Sequence, residues 1–169
     1  MLISIIGPSK GGKSTLLKAV LPDFPNVTLL DLDAEENRAV ACINAEGGDP
    51  DGWEARWDRN FILLQGAEVC PNYVIADVGA GSLQTDQGRL FFVERREQLI
   101  AVVAPWWVVW GRHTNRDPEK FRSIEYSDER CFVYNSAKIR IDTSVHLNTS
   151  IADFKTAIRS MIENLPKKM

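Results

Sequence analysis

The chain has few of the residues that staple small proteins or load them with metal: three cysteines and two histidines in 169 residues. Cys42, Cys70 and Cys131 lie far apart, with no CxxC pair and no Cys/His cluster at zinc spacing, which excludes a disulfide framework and a structural zinc site as readings. Free and mostly buried thiols in a reducing cytosol are expected. His113 and His146 each stand alone, and neither is read as a metal ligand. Long apolar runs are missing as well. Leu2-Ile3-Ser4-Ile5-Ile6 is too short for the core of a signal peptide and lacks a basic flank. The stretch from Leu99 to Trp110 is interrupted by Pro105 and falls short of the roughly 20 residues that cross a bilayer. No charge sign dominates, with 20 Lys and Arg against 23 Asp and Glu for a net charge of -3. Bulk charge therefore gives no ground for inferring a nucleic-acid or membrane partner. What remains is a cytoplasmic globular protein, and 44% hydrophobic content over this length suits one domain spanning residues 1–169.

Strand signals recur with helix or turn signals between them: Leu2 to Ile6, Val27 to Asp33, Tyr73 to Asp77, Leu99 to Ala104, and Cys131 to Asn135. The runs are almost wholly apolar and rich in Val and Ile, as parallel strands covered on both faces are. The expected fold class is α/β, three α/β/α layers with a mainly parallel sheet. A first helix is expected from Ser14 to Val20, stopped by Pro22 and Pro25. At the other end, Ser150-Ile151-Ala152-Asp153 reads as a capping box. Ile151, Phe154, Ile158, Met161, Ile162 and Leu165 then share one helical face. Gly47 to Gly52 is a strong turn signal, and Trp53 and Trp57, four apart, are expected to pack in the core.

Gly7-Pro8-Ser9-Lys10-Gly11-Gly12-Lys13-Ser14 completes the pattern G-x-x-x-x-G-K-S between a predicted strand and a predicted helix, the setting in which it cradles phosphates. Glycines let the backbone approach the anion, successive N–H groups point inward, and the helix N-terminus adds its positive end. Gly7, Ser9, Lys10, Gly11, Gly12, Lys13, Ser14 and Thr15 form the candidate nucleotide-binding set. Lys13 would reach the β- and γ-phosphates, and the Ser14 hydroxyl would ligate Mg²⁺. A second Mg²⁺-facing carboxylate belongs at the end of a neighbouring strand, where Tyr73-Val74-Ile75-Ala76-Asp77 supplies Asp77. The following Gly79 and Gly81 leave room for close approach to the γ-phosphate. Asp31 and Asp33, two apart at another strand end, are candidate catalytic carboxylates for holding an attacking water.

With these segments in place, the order of motifs resembles that of the ParA/MinD-type ATPases within the SIMIBI class of P-loop proteins. The resemblance rests on the glycine loop, Leu30-Asp31-Leu32-Asp33-Ala34-Glu35, Val74-Ile75-Ala76-Asp77 before Gly79 and Gly81, Ile100 to Pro105, and Val133-Tyr134-Asn135. It implies an ATP-hydrolysing switch that acts on a protein partner or through a nucleotide-dependent homodimer. Under it, Asp33 with Asp31 shapes the hydrolytic water, Asp77 serves Mg²⁺ and Asn135 contacts adenine. Pro8 stands where that family carries a signature lysine, so its role is not transferred to Lys10. Asn135-Ser136-Ala137-Lys138 is not the Asn-Lys-x-Asp of guanine recognition, which favours ATP.

Small-molecule and nucleotide kinases share the glycine loop and add an arginine-bearing lid. Arg112 and Arg116 are candidates for one, giving a phosphotransferase as the alternative function. A nucleotide-binding module without turnover is the third reading. Arg89, Arg95 and Arg96 alternate with Glu94 and Glu97 and read as an ordinary charged helix. Trp106, Trp107 and Trp110 cluster after Pro105; core packing is favoured over an interface or a substrate wall.

Overall fold

The computed structural model describes residues 1–45, 53–112 and 118–164. Five strands, β1 (Leu2–Ile6), β2 (Val27–Asp31), β3 (Tyr73–Asp77), β4 (Leu99–Val103) and β5 (Ile139–Asp142), form one sheet in the order β2-β3-β1-β4-β5, and every pairing is parallel. The connecting helices are α1 (Lys13–Val20), α2 (Leu32–Ala45), α3 (Trp53–Val69), α4 (Asp86–Glu94), α5 (Trp106–Trp110), α6 (Pro118–Glu125), α7 (Asp128–Ser136) and α8 (Leu147–Asn164). This is the expected three-layer α/β/α arrangement.

Side-chain alternation divides each central strand between two apolar layers. Leu2 and Ile6, Val74 and Ala76, and Leu99 and Ala101 meet Trp57, Leu64, Phe91, Phe92 and Val133 on one face. Ile3 and Ile5, Ile75, and Ile100 and Val102 meet Leu16, Leu17, Val20, Phe154, Ile158 and Met161 on the other. Trp57 is buried, and its ring packs edge-on to Phe91 at 5.7 Å, as a core role requires. The apolar face of α8 packs on α1 as its period implies. The edge strand β2 is less covered than expected, with Leu29 exposed, because only one neighbouring strand and fewer helices shield it.

Several expectations are corrected. The apolar run Cys131–Asn135 is helical, not a strand: the Ser127 hydroxyl accepts from the Arg130 N–H, and Asp128 and Glu129 occupy the first turn, so a capped helix N-terminus precedes the run. The late strand is instead β5, only four residues long, whose Arg140 and Asp142 interrupt the apolar pattern. The strand proposed to reach Asp33 ends at Asp31, and α2 begins at once. Ser150 is no helix cap. It lies buried inside α8, where its hydroxyl donates to the Asp142 carbonyl at 2.9 Å. Cys42 is exposed, not buried. Trp107, on α5, is 61% exposed, which excludes it from the core, while the Arg122 guanidinium stands over the Trp106 ring. The Gly47–Gly52 turn and Leu165 lie outside the described residues. Among the described residues no helix is long and apolar enough to cross a membrane.

Candidate functional site

The strand register brings the carboxyl ends of three strands together. Asp31 pairs across from Asp77, and Asp77 pairs across from Ile5, two residues before Gly7. The glycine loop thus rises beside Asp77. Gly7 packs so tightly on β4 that a Cβ there would lie 2.1 Å from the Val102 carbonyl oxygen. The loop closes with the Gly11 N–H donating to the Pro8 carbonyl at 2.9 Å. Between them Lys10 adopts φ 62, a left-handed conformation uncommon for a long side chain. Gly12 precedes α1, which has no side-chain cap and no acid in its first turn. Its leading N–H groups and positive dipole end are therefore left to an anion.

Lys10 to Leu16 line a cavity of about 560 Å³ whose other walls are Arg112, Thr143, Val145, Leu147 and Ser150. That volume is in the range of small-ligand sites. Arg112 donates from Nη1 to the Lys10 carbonyl at 3.3 Å and to Thr143 Oγ1 at 3.2 Å, and from Nη2 to the Thr143 carbonyl at 2.7 Å. Thr143 Oγ1 in turn donates to the Gly11 carbonyl at 2.7 Å. Arg112 is thereby brought to the loop, while Arg116 lies outside the described residues.

On the strand-end side, buried Lys13 donates from Nζ to the Gly7 carbonyl at 3.2 Å, and Ser14 Oγ donates to Asp77 Oδ2 at 3.1 Å. Burial raises the Asp77 carboxyl above the usual aspartate range. The Lys13 charge and the Ser14 hydrogen bond oppose the rise, and Asp31 and Asp33 add to it. Asp77 Oδ1 is buried with no hydrogen-bond partner among the described residues. An orphaned carboxylate oxygen next to a serine hydroxyl is a donor set that fits Mg²⁺, which takes one or two carboxylates and completes its shell with water and phosphate oxygens. Among the described residues no group of three His, Cys, Asp or Glu side chains is placed to hold a metal ion by itself.

The paired acids have separate environments. Asp31 Oδ1 accepts from the Ala34 N–H at 2.9 Å and so caps α2. Asp33, in the first turn, lies against Gly79: a Cβ at that glycine would stand 1.8 Å from Asp33 Oδ1. Asp33 keeps an exposed edge, yet burial of its inner side raises its carboxyl, opposed by the Lys13 charge and reinforced by Asp31. Asp33 is thus within the electrostatic reach of Lys13 and Asp77, and Ser14 bonds Asp77. Asn135, expected to contact adenine, does not line the loop cavity. It sits on α7 at a separate cavity of about 500 Å³ with Tyr126, Tyr134, Arg140 and Asp142. The strand end that reaches the loop cavity is that of β5, through Thr143. Thr143, Val145 and Leu147 were not anticipated; the dipeptide Asp142-Thr143 closing a short Ile-Arg-Ile-Asp strand is the signal that would have found them.

With this geometry in view, the fold can be matched. A shikimate kinase from Aquifex aeolicus superposes with a TM-score of 0.65 at 21% identity, covering 98% of this chain and 100% of that one. A shikimate kinase from Acinetobacter baumannii in complex with shikimate gives 0.67 at 17% identity, covering 98% and 95%. A gluconokinase from Sinorhizobium meliloti gives 0.58 at 16% identity, covering 96% and 93%. The fold is that of the P-loop kinases. No protein-family model and no curated protein matches the chain in sequence. The likeness lends no specific support to the ParA/MinD-type resemblance drawn from motif order.

Proposed function

We propose that the chain is a small-molecule kinase that transfers the γ-phosphoryl group of ATP to a hydroxyl of a small acceptor. The observation that carries this reading is the placement of Asp33. Asp31 is committed to capping α2, whereas Asp33 stands over Gly79 within the electrostatic reach of Asp77 and Lys13, where a carboxylate can serve as a general base. The likeness to shikimate kinase and gluconokinase folds supports it at the level of architecture.

In this reading the loop amides and Lys13 hold the β- and γ-phosphates, and Arg112 adds a second cation on the opposite wall. Val145 and Leu147 offer an apolar wall to the base. Ser14 and Asp77 would hold Mg²⁺, which when bound would offset the charge of the phosphates. The acceptor oxygen attacks the γ-phosphorus, the bond to the β–γ bridging oxygen breaks, ADP leaves, and the acceptor proton passes to Asp33. The loose transition state asks mainly for positioning and for neutralisation of its oxygens, which Lys13 and Arg112 supply.

The test is ADP formation from MgATP with and without a panel of hydroxylated carboxylates and sugar acids, shikimate and gluconate among them. A kinase consumes ATP substantially only with its acceptor. Slow hydrolysis that no acceptor raises, but that a protein partner changes, would return the ATPase switch to first place. Lys13→Ala should weaken MgATP binding by at least about tenfold, since a charge-assisted hydrogen bond to phosphate is lost. Retained affinity would overturn the site assignment.

A further inference from the structure

We propose that Glu125, neutralised by Arg130, is a positioning residue for the glycine loop. The inference rests on the reading of that loop as the nucleotide site. Glu125 is the last residue of α6 and Arg130 lies in α7; their side chains are 5% and 3% exposed, and Arg130 Nη1 meets Glu125 Oε2 at 3.0 Å. The same Oε2 accepts from the Ser9 N–H at 3.1 Å. A buried ion pair contributes little net stability compared with an apolar pair of the same shape, so its presence calls for a local reason.

The reason lies one residue further on. Lys10 must hold φ 62 with a long side chain, a conformation that persists only when its surroundings over-determine it. Four consecutive residues of the loop are tied. Pro8 accepts from Gly11, Ser9 donates to Glu125, Lys10 accepts from Arg112, and Gly11 accepts from Thr143. Arg112 and Thr143 line the cavity, where a bound nucleotide can compete for them. Glu125 and Arg130 do not line that cavity, and the Glu125 contact fixes the Pro8–Ser9 peptide group, one peptide ahead of the left-handed Lys10. Arg130 has a second effect. A bare carboxylate beside a polyphosphate site would repel its ligand, and the guanidinium cancels that charge while leaving Oε2 able to accept.

Without the Ser9 anchor the loop samples other conformations, and apparent nucleotide affinity falls with the fraction still competent. The test uses two full-length variants in which both buried charges are removed together: Glu125→Gln with Arg130→Met, and Glu125→Leu with Arg130→Met. Only the first keeps an acceptor at position 125 for the Ser9 N–H. Titration with MgADP should find the Leu/Met protein binding about tenfold more weakly than the Gln/Met protein, the scale of one lost buried hydrogen bond. Hydrogen exchange at the Ser9 amide, read by NMR, should be faster by a similar factor. Equal affinities and equal Ser9 exchange would overturn the proposal, because a merely structural pair would lower thermal stability without separating the two variants in these readouts. Should neither variant fold, Ser9 exchange in the unaltered protein decides: it must be protected, and exchange at the rate of an open chain refutes the anchor. If the unaltered protein binds neither MgADP nor MgATP, the nucleotide reading fails, while the exchange measurement still judges the anchor on its own.

Discussion

Replacing Gly79 with alanine acts directly on the placement of Asp33. Gly79 has φ -63 and ψ 148, which any residue adopts, so the added methyl brings no backbone strain. Its whole effect is contact: the new Cβ would lie 1.8 Å from Asp33 Oδ1 and 2.7 Å from Cγ, where real Cβ contacts stay beyond 3.0 Å. The carboxylate must therefore retreat by about 1.2 Å, and it can do so by rotating at the first turn of α2 without moving the sheet. Misplacing a reacting group by about 1 Å costs on the order of 100-fold in rate. The expectation is a turnover about 100-fold lower with MgADP affinity within about threefold of the parent, since Gly79 does not line the loop cavity.

The assay pairs a calorimetric MgADP titration with initial rates of ADP formation under saturating MgATP and acceptor. Turnover within about threefold of the parent would refute the reasoning, for it would mean that the rate is indifferent to where Asp33 stands. A loss of affinity equal to the loss of rate would refute it too, by showing that Gly79 serves binding.

Further expectations concern stability. A Cβ at Gly66 meets nothing within 4 Å on the exposed face of α3, so Gly66→Ala should stabilise the protein by about 0.5–1 kcal/mol and raise Tm by about 1–4 °C; a fall in Tm would contradict the helix assignment. Arg130→Met alone strands the buried Glu125 carboxylate and should cost about 3–5 kcal/mol in urea unfolding, whereas a loss below about 1 kcal/mol would mean that the pair is not desolvated. Asp33→Asn should stabilise at neutral pH. Because the folded-state carboxyl titrates above its unfolded value, the folded protein binds the proton more tightly, and ionisation at neutral pH works against folding. The advantage of the asparagine is full above the raised folded value and vanishes as pH falls below the usual aspartate value of about 3.9; Tm against pH for both proteins measures it, and a gap that widens on acidification would refute the sign.

Much of this was legible in the residues because the relevant signals are local. The glycine loop declares itself by a fixed spacing, and Leu2–Ile6 and Tyr73–Asp77 are apolar runs with sharp ends, so the strands and the position of Asp77 follow. Beyond β4 the locality fails. Cys131–Asn135 looks like a buried strand over five residues, and only the Ser127 cap and the acids after it mark a helix. The real strand, Ile139–Asp142, is too short and too charged to stand out. That single misreading put Asn135 at the end of a strand where the structure has a helix, and it hid Thr143, Val145 and Leu147. Glu125 and Arg130 were illegible for another reason: two opposite charges five residues apart look like any solvated pair until α6 and α7 are seen to bury them. The motif order that resembles ParA/MinD-type ATPases is built from features that P-loop proteins share widely, and sheet order and overall shape are what the kinases add.

The arrangement of charge explains why these residues are worth their cost. Asp31, Asp33 and Asp77 all act on the same small region, and each raises the carboxyl of Asp77 or is itself raised by its neighbours, while Lys13 is the cation that offsets both Asp33 and Asp77. A chain selected for stability alone would not bury Asp77 with one oxygen unpartnered, nor press Asp33 onto a glycine. Both features make sense where a divalent cation and a polyphosphate enter together, for the cation answers the orphaned oxygen and the phosphates answer the uncapped helix and Lys13. The stability surrendered at the strand ends is recovered in the two apolar layers beneath them, where Phe92, Phe154, Ile3, Ile5, Ile75 and Ile100 are fully buried. Strain at the carboxyl edge and close packing below it are thus one design, and the same logic extends to Lys10, whose unfavourable turn is tolerable because Glu125, itself held by Arg130, anchors the Ser9 N–H before it.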